Sequence, residues 1–290
     1  MRILLTGATG FLGSHLAKAL HSEGHELIIL KRRTSSLRRL EHIIRDVVLF
    51  DLEELDSSVL FKSHGTVNAV IHSATCYGRS GESAEQIFEA NSRFPLALLE
   101  AASTSGTSIF INSDTSLDKY LNAYSLSKKQ FAEWGKYFSD RYDIRFVNLR
   151  LEHFYGPGDD ESKFTTHVIR SCIGNASELK LTLGEQKRDF IYIDDAVSAY
   201  ATVLAKKDDF LNQFIELDVG SGNAVTIREF VETVHRMTGS GTKLDFGAVP
   251  YREGEVMFAQ ADTSSLRKLG WKASHSLEQG LKLTIEGTGV

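Results

Sequence analysis

Tyr124 and Lys128 stand four residues apart in Tyr124-Ser125-Leu126-Ser127-Lys128, near the start of a helical pattern, so their side chains share one helical face. A phenol has a reference pKa near 10, and a neighbouring ammonium favours phenolate and draws the group toward working pH. Such a tyrosine can give or take a proton at an alcohol or ketone. The spacing alone says little, because with 9 tyrosines roughly half such a motif is expected by accident. Context adds weight. An apolar run ending in Asn112-Ser113-Asp114-Thr115 comes shortly before it, and the Ser113 hydroxyl can bond the same substrate oxygen. Asp114 is open to two readings, a proton-handling group or a turn cap.

A second constellation lies at the N-terminus. Gly7-Ala8-Thr9-Gly10-Phe11-Leu12-Gly13 joins a short apolar run to a helical pattern. Glycine at Gly7, Gly10 and Gly13 permits a tight turn and close approach of backbone to a pyrophosphate. The helix start at Thr9, Phe11 and Leu12 adds N–H donors and a positive dipole. The competing reading is a plain glycine-rich turn. The next apolar run ends in Lys31-Arg32-Arg33 with Ser35 and Ser36 close by, where a site for NAD usually carries an acid. Cations and hydroxyls there suit a 2′-phosphate and point to NADP(H), against a merely solvated basic edge. Asp51-Leu52 follows the third run and is expected beside the adenine, or Asp51 serves as a helix N-cap.

The elements that must hold these groups are legible as an alternation. Ile3 to Thr6, Leu27 to Leu30, Val47 to Phe50, Ala69 to His72, Ser108 to Ile111 and Phe146 to Leu149 are brief, apolar and strand-like. Between them lie helical patterns at Phe11 to Glu23, Glu85 to Ser103 and Ala123 to Arg141. This order predicts βαβ units and a doubly wound parallel sheet with helices on both faces. After about residue 150 the rhythm loosens. Helices are expected at Glu161 to Ile173, from Asp194, at Ile227 to Met237, Thr263 to Leu269 and Leu277 to Ile285, with strands at Phe190 to Ile193 and Lys243 to Phe246. We read residues 1–155 as a dinucleotide-binding domain with later returns near 188–210. Residues 156–290 form a smaller α/β substrate lobe interleaved with it.

Bulk properties exclude other classes. The chain has 290 residues, 42% apolar and 24% charged, so it can bury a sizeable core. A net charge of -5 does not suggest a nucleic-acid binder. Cys76 and Cys172 lie far apart with no CxxC or HExxH, which excludes the common zinc spacings and a disulfide scaffold. No segment approaches the roughly 18 apolar residues that span a bilayer. The expectation is a soluble cytoplasmic protein with no metal, membrane or nucleic-acid partner.

The glycine loop, the basic strand end, Ile71-His72-Ser73-Ala74, Ser113 and the Tyr124–Lys128 pair together resemble the extended short-chain dehydrogenase/reductase superfamily. Arg150-Leu151-Glu152-His153-Phe154-Tyr155-Gly156-Pro157 and Arg188-Asp189-Phe190-Ile191-Tyr192-Ile193-Asp194-Asp195 extend the resemblance to its nucleotide-sugar epimerase, dehydratase and reductase branch. Residues 150–160, Lys163-Phe164, Gly184-Glu185-Gln186 and 247–258 are similar to reductases of CDP-linked 4-keto-3,6-dideoxyhexoses that serve O-antigen assembly. The resemblance implies a Rossmann fold and a substrate held between it and the lobe. It makes Ser113, Tyr124 and Lys128 catalytic, and puts Ser73, Ala74, Thr75 and Asn91 with the cofactor residues. Tyr77, His153, Lys163, Phe164, Arg188 and Arg252 fall to the substrate, with the two arginines on its diphosphate. His72 reads as structural. A homodimer through the helical patterns at Glu85 to Ser103 and Ala123 to Arg141 is implied as well.

Three departures qualify the resemblance. Asp114-Thr115 stands where the dehydratases carry an Asp-Glu pair, which leaves no obvious base for C5. His153 replaces an asparagine. Ser113 and Tyr124 are only 11 residues apart in sequence. The implied reaction is NADPH-dependent reduction of a nucleotide-linked 4-ketohexose. A nucleotide-sugar 4-epimerase and a non-catalytic NADP-binding regulator are the alternatives.

Overall fold

A computed structural model describes residues 1–54, 60–61 and 65–288. The chain forms two compact units, Met1–Arg150 with Ala199–Leu217, and Leu151–Ser198 with Asp218–Val290. Residues 188–198 thus sit with the second unit, and the chain re-enters the first only at Ala199.

The first unit is built on β1 (Arg2–Thr6), β2 (Glu26–Lys31), β3 (Val48–Asp51), β4 (Ala69–His72), β5 (Ile109–Thr115), β6 (Arg145–Leu151) and β10 (Phe214–Val219). They form one parallel sheet in the order β10-β6-β5-β4-β1-β2-β3. The chain order reverses at β1, which pairs with β2 on one side and β4 on the other. The carboxyl ends of strands at such a switch point are where doubly wound sheets bind ligands. Ile3, Leu4, Leu5, Ala69, Val70 and Ile71 are fully buried, as two-sided coverage of a parallel strand requires. The helices α1 (Phe11–Ser22), α3 (Phe94–Thr104) and α4 (Ala123–Ser139) belong to this unit.

The core between α4 and the sheet is aromatic. Phe110 and Phe146 stack at 5.5 Å, with Phe131 edge-on to both. Gly135 makes this packing possible, because a Cβ there would lie 2.3 Å from the Phe146 ring. Overpacking of this kind costs about 1–3 kcal/mol. Gly135→Ala is therefore expected to lower the unfolding free energy by that amount, read by urea unfolding; an unchanged free energy would contradict this packing.

One expected helix is divided. The segment from Glu85 to Ser103 resolves into α2 (Ala84–Phe88), a π-helical stretch at Glu89–Arg93 and α3. Pro95 has no N–H to bond the Asn91 carbonyl four residues back, and the ladder widens there instead. β5 also runs further than expected, through Thr115, so Ser113 and Asp114 sit inside a buried strand.

The second unit holds β7 (His153–Tyr155), β9 (Lys187–Tyr192) and β11 (Ala224–Thr226) in the order β11-β9-β7, with β8 (Glu178–Leu181) and β12 (Lys243–Phe246) as a separate parallel pair. Its helices include α5 (Phe164–Ile173) and α7 (Ile227–Thr238). Phe230 of α7 stacks on Phe190 at 4.3 Å. β7, β8, β10 and β11 were not foreseen; three of the four are only three or four residues long and carry little periodicity. Among the described residues no helix is long and apolar enough to cross a membrane.

Candidate active site

The glycine loop is shaped for close approach. Gly7 has φ +73°, and a Cβ there would lie 2.5 Å from the Ala74 amide nitrogen. Gly13 admits no side chain, since its Cβ would meet the Gly7 carbonyl oxygen at 2.1 Å. Gly10 is exposed, and a Cβ on it would meet only the Gly7 oxygen, at 3.2 Å. It also begins α1 without a side-chain cap. A helix start with uncapped amides beside an open glycine is a cradle for phosphate. Phe11 and Leu12 turn their side chains into the protein, so they can serve a ligand only through backbone. Ser73 and Ala74 are tied to β1: the Ser73 hydroxyl donates to the Thr6 carbonyl (2.7 Å) and the Ala74 amide to the Thr6 hydroxyl (3.3 Å).

At the basic strand end, the sequence and the structure divide the work differently. Lys31 and Asp51 face each other across β2 and β3 and form an ion pair, so each is the other's partner. The Arg33 amide donates to the Glu53 carboxylate. Arg32 and Arg33 are exposed, and Arg39 lies 5.8 Å from the centre of the Phe11 ring.

Ser113 on β5 and Tyr124 and Lys128 on the first turns of α4 all belong to the first unit. Ser113 accepts a hydrogen bond from the buried Tyr200 hydroxyl at 2.7 Å, which leaves the serine proton for another acceptor. Burial holds the Tyr124 phenol well above its ordinary range, with Tyr77 and Asp114 pushing the same way. A hydrogen bond from Thr115 and the charge of Arg79 work in the opposite sense. At neutral pH Tyr124 is thus a protonated phenol, a proton donor. Lys128 is 1% exposed, and its Nζ is buried with no hydrogen-bond partner. Burial lowers its pKa to about 8. An orphaned ammonium of this kind calls for a polar ligand. Together with the glycine cradle it fits a dinucleotide, to which Lys128 would give the hydrogen bonds its Nζ lacks within the protein.

Asp114 is a framework group. It is buried and accepts from Lys129 (3.0 Å), Asn148 (2.8 Å) and the Thr115 amide (2.7 Å). Asn148 is held in turn by Asn112 and Glu216. Three donors thus hold Asp114 in place, and the position after it is a threonine. Asn91 likewise acts on protein rather than directly on a cofactor. Its Oδ1 accepts from Thr75 (3.2 Å) and the Cys76 amide (2.8 Å). Its Nδ2 donates to the Cys76 carbonyl (2.8 Å) and the Ser127 hydroxyl (3.0 Å). All four amide positions are used. Thr75 is engaged through this bond. Tyr77 lies against Tyr124, ring centres 5.1 Å apart. His72 is fully buried beside Thr6 and kept neutral by burial and by Lys128, as a structural histidine is.

Apart from Tyr77, the substrate-side candidates lie in the second unit. His153 and Phe190 are register partners on β7 and β9, their rings 5.9 Å apart. His153 also lies 3.5 Å from the buried Glu152 carboxylate. Arg188 is two residues from Phe190 and shares its face of β9. Its guanidinium is paired with Glu255, the last residue of the Arg252-Glu253-Gly254-Glu255 turn, on which Arg252 is exposed. Lys163 is bound to Asp159 at 3.1 Å and stands 3.9 Å from the Phe154 ring centre, while Phe164 is partly exposed at the start of α5.

Sequence reasoning missed Thr115, Tyr200 and Arg79. Thr115 was within reach, because it is two residues from Ser113 on one strand and so shares its face. Tyr200 is 87 residues from Ser113 and carries no local signal.

Known proteins resemble this chain along nearly its whole length. CDP-abequose synthase of Salmonella muenchen is 36% identical to this chain, over 97% of it and 96% of the relative. The enzyme of the same name from Salmonella typhimurium is 34% identical over the same shares. A crystal structure of UDP-glucose 4-epimerase with UDP-glucose, from Thermotoga maritima, shares the fold with a TM-score of 0.86 at 23% identity, covering 99% of this chain and 98% of that one. Residues 3–215, the stretch that carries the glycine cradle, Ser113, Tyr124 and Lys128, match the family described as NAD dependent epimerase/dehydratase, and the chain belongs to that family.

Proposed function

We propose that this enzyme reduces the C4 ketone of a nucleotide-linked deoxyhexose with NADPH, the substrate being a CDP-4-keto-3,6-dideoxyhexose or a near relative bound for a surface polysaccharide such as O-antigen. The observation that carries the reading is a protonated Tyr124 beside an Asp114 carboxylate already engaged by Lys129, Asn148 and the Thr115 amide. Reduction needs a proton donor; dehydration needs a base for C5. The two full-length relatives named CDP-abequose synthase support the same reaction.

The glycine loop and the first turn of α1 would receive the pyrophosphate, and Lys128 the nicotinamide ribose. When bound, the dinucleotide supplies the hydride that reaches C4. Tyr124 gives its proton to the ketone oxygen, so that hydride and proton together make the alcohol, and the phenolate regains a proton from water. Ser113 donates a hydrogen bond to that oxygen as charge builds on it. Arg188 and Arg252 are the groups we assign to the diphosphate, in the fork geometry that suits it. The exposed Arg32 and Arg33 favour a 2′-phosphate. With deuterated NADPH in ordinary water the product is expected to carry deuterium at C4 and none at C5. Conversion of ordinary sugar nucleotides without added cofactor would overturn the reading in favour of a 4-epimerase.

We also assign the protein to the cytoplasm, where Cys76 and Cys172 remain thiols, and to a homodimer. Phe88, Trp134 and Tyr137 are each more than two-fifths exposed on α2 and α4, the helices that the family resemblance gives to the interface. Sedimentation at increasing concentration is expected to give twice the chain mass; a concentration-independent monomer would refute the dimer.

A further inference from the structure

The loop after β4 carries a cation toward the catalytic tyrosine. Asn91 grips both the amide and the carbonyl of Cys76 and so fixes the residue before Tyr77. Gly78 follows with φ +71°, a backbone state that side chains rarely adopt. The reversal brings Arg79 back over its neighbour, its guanidinium carbon 4.8 Å from the centre of the Tyr77 ring. Tyr77 in turn lies at 5.1 Å and 39° to Tyr124. Arg79, Tyr77 and Tyr124 therefore form a continuous stack at the proton-donating phenol, held from behind by Asn91.

We propose that Arg79 is a positioning residue for Tyr124: through Tyr77 it fixes the phenol ring, and its charge offsets the negative charge that Tyr124 acquires on giving up its proton. Burial and the Asp114 carboxylate oppose that charge, and Thr115 supports it by a hydrogen bond. In so buried a place a nearby cation has large leverage. Arg79 provides one from the exposed side, which leaves the Lys128 ammonium available to a cofactor. Arg79 makes no contact of its own with substrate in this account.

The role in turnover rests on the ketoreductase reading, whereas the effect on the phenol does not, and the experiment separates them. Difluorotyrosine placed at position 124 of the full-length protein brings the phenol into a range where fluorine NMR can follow its titration without substrate. Arg79→Gln is expected to raise proton affinity at that site by about threefold to tenfold. Arg79→Lys is expected to restore most of it, and high salt to shrink the difference between wild type and Arg79→Gln. An unmoved midpoint in Arg79→Gln overturns the proposal. In turnover, Arg79→Gln is expected to lower kcat with the KM for the nucleotide sugar unchanged, and Tyr77→Leu to do the same without adding to it. A raised KM at constant kcat would make Arg79 a substrate-binding group and also overturn it. Failure of the wild-type enzyme on every 4-keto sugar would sink the ketoreductase reading while the titration still decides the role of Arg79.

Discussion

Tyr124→Phe is expected to reduce kcat by about a thousandfold, within the range of about a hundredfold to ten-thousandfold that positioned acid–base groups contribute. The substitution removes one oxygen and leaves the ring that packs on Tyr77. The Thr115 hydroxyl loses its partner, but Thr115 still accepts from the Leu117 amide, so the strand end keeps its shape. Affinity for the reduced cofactor, read by its fluorescence, should be unchanged, because the glycine cradle and Lys128 are untouched. The combination of intact binding and lost turnover is the signature of a missing proton donor. A variant that retains wild-type kcat would mean that another group gives the proton, or that the chain binds a dinucleotide without performing chemistry on it.

Lys128→Met is expected to separate stability from activity. Lys128 titrates near 8 in the folded protein against a reference of 10.5, because burial penalises its charge. Between those values the unfolded chain binds more protons than the folded one, so stability rises with pH across that window. Below about pH 8 the whole penalty is present, on the order of 3 kcal/mol for a shift of this size. Methionine fills much of the same space without the charge. Denaturation of the cofactor-free protein at neutral pH should therefore show Lys128→Met to be the more stable, by roughly 2–3 kcal/mol. The gap should close as pH rises through the window. The variant should also lose tight cofactor binding and most of its turnover. A methionine variant less stable than wild type at neutral pH would show that Lys128 is satisfied in a way the structure does not contain. The enzyme carries in its interior an ammonium with no hydrogen-bond partner, a usual mark of a group kept for function rather than for folding.

The distribution of what was legible follows from how information lies along the chain. The first six strands of the sheet are short, largely apolar runs, covered on both faces except at the edge strand β3, and the Gly7 to Gly13 loop is punctuated by residues that only its geometry requires. Those features are local, and they were read. β7, β8, β10 and β11 are short, and β10, which completes the large sheet, is only half-buried along much of its length and lacks a clean pattern. The π-helical stretch was hidden for a different reason: Pro95 announced a break, but what the break accomplishes, the aiming of Asn91 at Cys76 and Ser127, depends on segments far away in sequence.

The site shows the same division. Ser113, Tyr124 and Lys128 stood out as candidates by type and spacing, and their partners did not. The satisfied carboxylate of Asp114 depends on Lys129 and Asn148, and the bond into Ser113 comes from Tyr200. Lys31 and Asp51 were each assigned separately to the cofactor, yet strand register makes them partners. A basic residue at a strand end cannot be taken as a phosphate ligand until the residue across the ladder is known. Arg79, in a loop with no motif, became visible only through its place over Tyr77.

The central claim is ketone reduction at the expense of NADPH. It is tested most directly by mixing the purified protein with freshly generated CDP-4-keto-3,6-dideoxyhexose and following the near-ultraviolet absorbance of reduced nicotinamide, with NADPH and NADH compared side by side. The account predicts rapid loss of absorbance with NADPH, slower loss with NADH, and one alcohol formed per cofactor consumed. No loss with any 4-keto sugar nucleotide, together with interconversion of ordinary sugar nucleotides in the absence of added cofactor, would contradict it.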